Sequence, residues 1–456
     1  MAFSKVLIAN RGEIALRVIR SLKELGIRTA AIYSEADTTC LHKELADEAH
    51  LIGPAPAAKS YLDAPAIVEL ARKIKADAIH PGYGFLAETA EFAELCQKAG
   101  LTFIGPTPDN MRLAGDKLVA RQTVADAGLP VVPGSDRGLL NLAESIETCA
   151  AIGYPLMLKA SAGGGGRGMR ILNDESDLVE DFAMAAAEAR TAFGDPTLYV
   201  EKYILRPRHI EVQILADGDG DVIHLFERNC SVQRRHQKLI EEAPSTDLIP
   251  EVKQAIHAAA VKIARAIGYK NAGTVEFLLD DDNHFYFMEL NARIQVEHPV
   301  TEMITGRDLI KAQLSIASGN GIGLRQAEVH QSGHAIECRI NAEDPDFEFL
   351  PSPGTIDQYR SPGGFGVRFD THLYPGYEIP IYYDSLLGKL IAWGGTRREA
   401  ICTMQRALQE LQIEPVKTTT PFLLDVIRHD DFMSGKYRLD LVENILGARE
   451  DQEDEI

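Results

Sequence analysis

The chain has no C-x-x-C pair, no long apolar run and no excess of positive charge. Its 6 cysteines (Cys40, Cys96, Cys149, Cys230, Cys338 and Cys402) lie far apart. That distribution argues against a disulfide framework and against a zinc site, and fits a reducing, cytoplasmic setting. No stretch approaches the roughly 20 apolar residues of a membrane helix. Met1-Ala2-Phe3-Ser4-Lys5 leads straight into a strand-like run with no signal peptide. Asp and Glu outnumber Lys and Arg by 67 to 47, a net charge of -20. Nucleic acid and anionic membranes are therefore poor bulk partners, while local basic clefts for phosphates remain open. Repeats and low-complexity segments are missing as well. What is present is 456 residues, 45% of them hydrophobic, enough for a large core and about two to four domains.

The most informative segment is Phe287-Met288-Glu289-Leu290-Asn291-Ala292-Arg293-Ile294-Gln295-Val296-Glu297-His298. Read with a period of two, Glu289, Asn291, Arg293, Gln295 and Glu297 share one side, and Leu290, Ala292, Ile294 and Val296 the other. This is the pattern of a strand with one buried face. A solvated face would carry Lys, Thr and Ser in loose order. Acids, amides and a guanidinium in one short run suit an ion or an anionic substrate better. Upstream, Gly273–Leu279 reads as a second strand. With Asp282-Asn283 as a two-residue loop, hairpin register sets Glu276 opposite Glu289. Facing carboxylates repel unless a cation lies between them. Glu276, Glu289 and Asn291 offer hard oxygen ligands, which favour magnesium or manganese over zinc.

The rest of the chain supplies a frame. Lys5–Asn10 is a short apolar strand that runs into Arg11-Gly12-Glu13 and an amphipathic helix ending near Leu25-Gly26. Strand-then-turn units recur at Thr29–Tyr33, Ala76–Gly84 and Thr102–Pro106. Such alternation predicts a parallel sheet wrapped by helices up to about residue 114. The G-x-G-x-x-G fingerprint is missing after the first strand, so no dinucleotide site is expected. A helical connector covers Asp116–Ala127. An α+β section follows, with helices at Asn141–Ile152 and Ser176–Phe193 and strands at Pro155–Ala160, Met169–Leu172 and Leu198–Lys202. Antiparallel strands dominate from Arg208 to about Leu279. The part from about Gly333 mixes hairpins with a helix at Arg397–Leu411, and the acidic end Glu450–Glu455 reads as a solvated tail.

Two further constellations carry chemistry. Lys159-Ala160-Ser161-Ala162-Gly163-Gly164-Gly165-Gly166-Arg167-Gly168-Met169 is not a Walker motif, because no Gly-Lys-Ser/Thr follows and a strand comes next. Its bare amides can fold over phosphates as a mobile hairpin, with Lys159 as a point charge. Glu227–Lys238 gathers Arg228, Arg234, Arg235, His236 and Lys238 in an otherwise acidic chain, and a cluster of that kind calls for anions.

These segments, in order, resemble those of biotin carboxylase, a member of the ATP-grasp superfamily. The resemblance rests on Asn10-Arg11-Gly12-Glu13-Ile14-Ala15, His80-Pro81-Gly82-Tyr83-Gly84-Phe85-Leu86, the four-glycine run and Ser231–Lys238. It continues through Asn291–Glu302, Phe349-Leu350-Pro351-Ser352-Pro353-Gly354 and Tyr383-Asp384-Ser385-Leu386-Leu387. It implies an α/β and α+β fold in three parts: an N-terminal parallel α/β domain over 1–114, a central ATP-grasp domain over 115–330 with a mobile glycine-rich lid at about 131–203, and a C-terminal mixed α+β domain over 331–446. An acidic tail at 447–456 would follow.

The same resemblance implies roles. Lys117, Lys159, Gly164, Gly165, Gly166, Met169, Glu201, Lys202, Ile204, His209, Gln233, His236 and Leu278 match ATP-binding positions, together with Glu276 and Glu289. Glu276, Glu289 and Asn291 match metal-binding positions. Lys238, Arg293, Gln295, Val296 and Glu297 match those that hold bicarbonate. Glu297 matches the general base, expected to stay ionised beside Arg293, and Arg339 the residue facing biotin. ATP, Mg2+ or Mn2+, and biotin as a carrier-bound substrate are the implied cofactors. The expected partners are a biotin carboxyl carrier protein, carboxyltransferase subunits and a second copy of the chain, with neither nucleic acid nor membrane. No biotinyl or carboxyltransferase segment is present in the 456 residues, so biotin is expected on a separate carrier, with acetyl-CoA carboxylase the commonest assembly of that kind and a split pyruvate, 2-oxoglutarate or acyl-CoA carboxylase the alternative. Two departures stand out. Asn229 occupies a position where an acid is common, and Tyr437-Arg438-Leu439-Asp440 matches poorly where an adenine contact is expected. An amino-acid ligase of the superfamily would lack the Arg293-x-Gln295-Val296-Glu297 run.

Overall fold

The computed structural model describes residues 3–161 and 169–454. Apolar runs near the start build a parallel sheet: β1 (Lys5–Ile8), β2 (Arg28–Ser34), β3 (Glu48–Gly53), β4 (Ala78–His80) and β5 (Thr102–Phe103), in the order β3-β2-β1-β4-β5. Val6, Leu7 and Ile8 are fully buried because both faces are covered. The helix Gly12–Glu24 buries Ile14, Val18, Ile19 and Leu22 at helical spacing. Strand order reverses between β1 and β4, so their carboxyl ends open a crevice. The loops there are tied together, with Asn10 Nδ2 donating to the carbonyls of Pro81 and Tyr83 at 2.7 Å each. Gly82 allows this approach. Its φ is +64, and a Cβ would lie 2.9 Å from Ile14 Cγ1.

A small three-stranded antiparallel sheet follows, from β6 (Leu156–Ala160), β7 (Arg170–Leu172) and β8 (Leu198–Lys202), with β6 central. The helices Leu142–Ile152 and Glu175–Phe193 accompany it, and Leu156, Leu158, Leu172, Leu178 and Val200 form its own core. The expected glycine lid, residues 163–166, lies outside the described residues.

The centre of the molecule is an eight-stranded sheet, antiparallel at every pairing. It comprises β9 (Arg208–Asp217), β10 (Val222–Arg234), β11 (Gln237–Ala243), β12 (Lys270–Leu279), β13 (Phe285–Asn291) and β14 (His334–Asn341), with strands Leu386–Gly394 and Val367–Thr371. The order runs β13-β12-β9-β10-β11-β14, then Leu386–Gly394 and Val367–Thr371. One sheet thus carries strands from both sides of residue 330, because β11 pairs with β14. The stretch 208–279 also holds the helix Pro250–Ala266, with Pro at its first turn and Ile256, Ala259, Ala260, Ile263 and Ala264 buried. Strand patterning alone passes over it. At the other end, the helix Leu441–Asp454 runs through position 447, so most of the acidic end is helical.

The informative segment is only partly a strand. β13 stops at Asn291, and 292–297 continue as irregular chain into the helix His298–Thr305. The alternation persists without ladder bonds, because both sets are packed: Ala292 is 1% exposed and Ile294 0%, yet Gln295 is 4% and Glu297 0%. The Glu276–Glu289 register occurs as expected, by a different route. The turn spans Asp280–His284, and a bulge between Glu276 and Phe277 restores the pairing.

Candidate active site

Register across the central sheet sets a row of charges side by side. Arg228 on β10 lies opposite Glu211 on β9, Glu211 opposite Glu276 on β12, and Glu276 opposite Glu289 on β13. Neighbours in such a row sit about 5 Å apart at Cβ. Three glutamates in a line demand cations, and the fold brings them. Lys238 leaves the β10–β11 turn, where Arg235 and His236 take the left-handed backbone conformation at φ 47 and 64. Its Nζ reaches Glu211 Oε2 at 2.6 Å, Glu276 Oε1 at 3.0 Å and Glu297 Oε1 at 2.7 Å. Arg228, fully buried, donates to Glu211 at 2.5 Å, Gln213 at 2.8 Å, Thr301 at 3.0 Å and Thr274 at 3.1 Å. At the far end Lys117 pairs with Glu289 at 3.0 Å.

These pairings fix the ionisation of the site. Burial pushes the Glu276 carboxyl up, but Lys238 and His209 outweigh it and hold it at about 2. Lys117 likewise brings Glu289 to about 2 against burial. Burial alone would strip Lys238 of its proton, yet Glu211, Glu276 and Glu297 drive its pKa well above the usual lysine range. Glu297 is raised by burial and lowered by Lys238 and Arg339, with the net result below the ordinary carboxylate range. It also sits at the start of the helix His298–Thr305, whose free amides favour an anion.

The cations in contact with Glu297 correct one expectation. They are Lys238 and, at 3.0 Å, Arg339, rather than Arg293. The Arg293 guanidinium turns to Glu88 at 2.8 Å, Gln295 Oε1 at 2.9 Å and Asn291 Oδ1 at 3.2 Å. Through these groups it still joins the cluster, since Asn291 and Gln295 each donate to Glu276 Oε1 at 2.8 Å. Val296 contributes its carbonyl, which accepts from Lys389 at 3.0 Å. His209 Nε2 lies 2.9 Å from Glu276, and Gln233 Nε2 lies 2.9 Å from His209 Nδ1. Arg339 also holds Glu241 at 2.6 Å.

Other sequence candidates stand apart from this net. Lys159 pairs with Glu201 at 2.5 Å, and Arg121 holds the other Glu201 oxygen at 2.9 Å. Lys202 donates to the carbonyls of Gly153 and Tyr154 at 2.8 Å each, so its ammonium is tied to the link between the helix Leu142–Ile152 and β6. Leu278 lies opposite His209, Met169 and Ile204 are half-buried, and His236 is exposed. Gly164, Gly165 and Gly166 lie outside the described residues. Asn229, fully buried, accepts from the Ser231 amide at 3.0 Å and its hydroxyl at 2.6 Å. Leu439 is half-buried, with its amide donating to the Pro207 carbonyl at 3.2 Å.

Sequence reading passed over Glu211 as a member of the row. The signal was there: His209-x-Glu211-x-Gln213 repeats polar residues at strand spacing inside an apolar run. Glu88 had no such signal, because its contact to Arg293 joins residues far apart in the chain.

Fold and site together define an ATP-grasp ligase. The comparisons narrow that class. Family models for the biotin carboxylase N-terminal domain match residues 2–111, for the carbamoyl-phosphate synthase L chain ATP-binding domain 116–325, and for the biotin carboxylase C-terminal domain 337–444. Biotin carboxylase 1 of Bacillus subtilis is 53% identical over 447 residues, covering 97% of this chain and 99% of the relative. A pyruvate carboxylase subunit of Methanothermobacter thermautotrophicus is 52% identical over 441 residues, covering 97% and 90%. The crystal structure of the biotin carboxylase domain dimer of Hydrogenobacter thermophilus 2-oxoglutarate carboxylase, in complex with MgADP, ADP and bicarbonate, aligns with a TM-score of 0.94 at 51% identity, covering 97% of this chain and 98% of that one. The chain belongs to the biotin carboxylase family. It is the biotin carboxylase of a biotin-dependent carboxylase.

Proposed function

We propose that this chain uses ATP and bicarbonate to carboxylate biotin carried on a separate carrier protein, through carboxyphosphate, as the biotin carboxylase of acetyl-CoA carboxylase in a cytoplasmic, homodimeric form. One observation carries the chemistry: a single ammonium, Lys238, joins Glu276 of the acidic row to Glu297, and Arg339 joins Glu297 from the other side.

Glu276, Glu289 and Asn291 fit a divalent cation bound with ATP, since they offer hard oxygens and two carboxylates held near pKa 2. Magnesium there would supply positive charge to the phosphate oxygens during transfer. Lys117, Lys159 and the Gly164–Gly166 amides are assigned to the nucleotide phosphates. Met169, Glu201, Lys202, Ile204, His209, Gln233, His236 and Leu278 are assigned to the rest of ATP. Arg293, Gln295, Lys238 and the Val296 backbone hold bicarbonate. Glu297 accepts its proton as an oxygen of bicarbonate attacks the γ-phosphoryl group, the bond to the β-phosphate oxygen breaks and ADP leaves. Carboxyphosphate then gives carbon dioxide and phosphate, and the phosphate takes the ureido proton of biotin. The ureido nitrogen attacks carbon dioxide while Arg339 stabilises the enolate oxygen.

Purified protein with ATP, magnesium and bicarbonate should release ADP faster when biotin is added, and the absence of any stimulation would refute the reading. The parent complex is a finer matter. Identity of 53% to a biotin carboxylase and 52% to a pyruvate carboxylase subunit favours neither acceptor. The biotinylated carrier and carboxyltransferase subunits that co-purify decide it, with labelled bicarbonate followed into acetyl-CoA, pyruvate or 2-oxoglutarate.

A further inference from the structure

Behind Arg339 lies a second pair of facing glutamates. Glu241 on β11 sits directly opposite Glu337 on β14, and both are fully buried. Directly opposed residues of an antiparallel pair share one face at close range. Glu241 Oε1 accepts from Arg339 at 2.6 Å. Glu241 Oε2 and both oxygens of Glu337 have no hydrogen-bond partner among the described residues. The same face is apolar further along, where Ala243, Ala335 and Ile391 meet Val300 and Ile304 of the helix His298–Thr305.

Arg339 stands two residues along β14. Lys389 lies opposite Arg339 on the next strand, with its ammonium 3.2 Å from Glu13 Oε2 and 3.0 Å from the Val296 carbonyl. From the helix side come Glu297, held by Lys238 and Arg339, and His298, whose Nδ1 lies 2.8 Å from the Gln295 carbonyl. Glu302, on the same helix, is held by Arg17 and Arg368 at 2.7 Å each. No cation is in ion-pair contact with Glu337 among the described residues.

We infer that Glu241 and Glu337 work as one acid–carboxylate unit, with Glu337 keeping a proton that it donates to Glu241, and that this unit positions Arg339 for the biotin step. The inference rests on the carboxylation reading above. With Glu241 Oε2 and both Glu337 oxygens lacking a donor, two ionised buried carboxylates would repel each other and lack solvation, whereas one shared proton removes the repulsion and gives each group a partner. Burial and the neighbouring Glu241 push the Glu337 carboxyl well above its ordinary range, and burial raises Glu241 to about 7. The arrangement matters when Glu297 takes the bicarbonate proton. Its hold on Arg339 then weakens, and Glu241, oriented by Glu337, becomes the anion that keeps the guanidinium in place. An ionised Glu337 would instead draw Arg339 away from the substrate.

The test compares Glu241→Gln and Glu337→Gln in the full-length protein, reading bicarbonate-dependent ADP release without biotin, kcat and KM for biotin carboxylation, thermal unfolding across pH and the infrared band of a protonated carboxylic acid. Glu241→Gln should lower kcat for biotin carboxylation by about 100-fold, the scale of a displaced positioning group, with a smaller loss of ADP release. Glu337→Gln supplies a neutral donor in place of the acid and should stay close to wild type in both. The raised folded pKa of Glu337 disfavours the fold as pH rises, so Glu337→Gln should also unfold at higher temperature, with the gain growing above the usual carboxylate range. The acid band should be present at pH 7 in the wild type and diminished in Glu337→Gln. An unchanged band in that variant, equal damage from both variants, or equal losses in the two half-reactions would overturn the inference. If the wild-type protein carboxylates no biotin, the functional reading fails while the infrared band still judges the pair.

Discussion

The central sheet holds two pairs of directly opposed glutamates, all but the half-buried Glu289 fully enclosed, and they behave in opposite ways. Glu276 and Glu289, across β12 and β13, each meet a cation, Lys238 or Lys117, and both are held near pKa 2. Glu241 and Glu337, across β11 and β14, have only the Arg339 guanidinium, which touches Glu241 and not Glu337. Glu241 is raised to about 7 and Glu337 beyond the ordinary range. Register is alike in the two pairs and does not decide ionisation, and burial alone does not either, since Glu276 is 2% exposed yet is held near pKa 2. The supply of cations does. The first pair is built as anions ready for a cationic ligand, and the second as a proton-holding brace behind the guanidinium.

The largest expected effect comes from removing the cation that separates the two behaviours. Lys238→Met leaves Glu211, Glu276 and Glu297 without their common partner. Uncompensated buried carboxylates cost about 3–5 kcal/mol, so thermal unfolding should shift strongly downward and ADP release should vanish. A variant of near-native stability would show that Lys238 does not hold the row together. Next comes Glu297→Gln, which removes the base without emptying the site. Turnover should fall by about 10²- to 10⁴-fold, while ATP affinity, measured by calorimetry, stays close to wild type. Full activity would take Glu297 out of the base role. A smaller effect is expected from Glu289→Gln, which weakens one ligand of the first pair. The magnesium concentration for half-maximal rate should rise by about 10- to 100-fold, and an unchanged magnesium requirement would break the contrast between the pairs.

How much of this could be read from the sequence depends on whether the determinant was local. The Glu276–Glu289 register followed from period-two patterning and one turn, both local. Its details did not, since a longer turn and a compensating bulge gave the same pairing. The extent of the strand was misread for a related reason: alternation reports which side chains share a side, and 292–297 keep that property while leaving the ladder. The helix Pro250–Ala266 was hidden within a strand-rich stretch although Pro250 marked its start. Partners separated by many residues stayed out of reach. Glu88 meeting Arg293, Arg121 meeting Glu201 and Glu241 meeting Glu337 are created by β11 pairing with β14 and by the approach of separate layers. The resemblance supplied roles for single residues, but the geometry supplied their pairing, and here it exchanged Arg293 for Lys238 and Arg339 beside Glu297.

The smallest effect, and the one that tests the contrast most directly, is the pH dependence of stability. Glu276 and Glu289 have folded pKa values depressed from 4.5 to about 2. In that window the unfolded chain binds more protons than the folded one, so their stabilisation is present above about pH 4.5 and is lost as pH falls toward 2. Glu241 has the opposite sign, raised from 4.5 to about 7. The folded chain there binds more protons, so its contribution is complete below pH 4.5 and is lost as pH rises through 7. Thermal unfolding of the wild type should therefore decline on both flanks, for different reasons. Glu289→Gln should flatten the acid flank and leave the other, and Glu241→Gln should flatten the neutral flank and leave the acid one. If either variant moved both flanks together, the two pairs would be parts of one titrating network, and the cation on each side would not be what sets them apart.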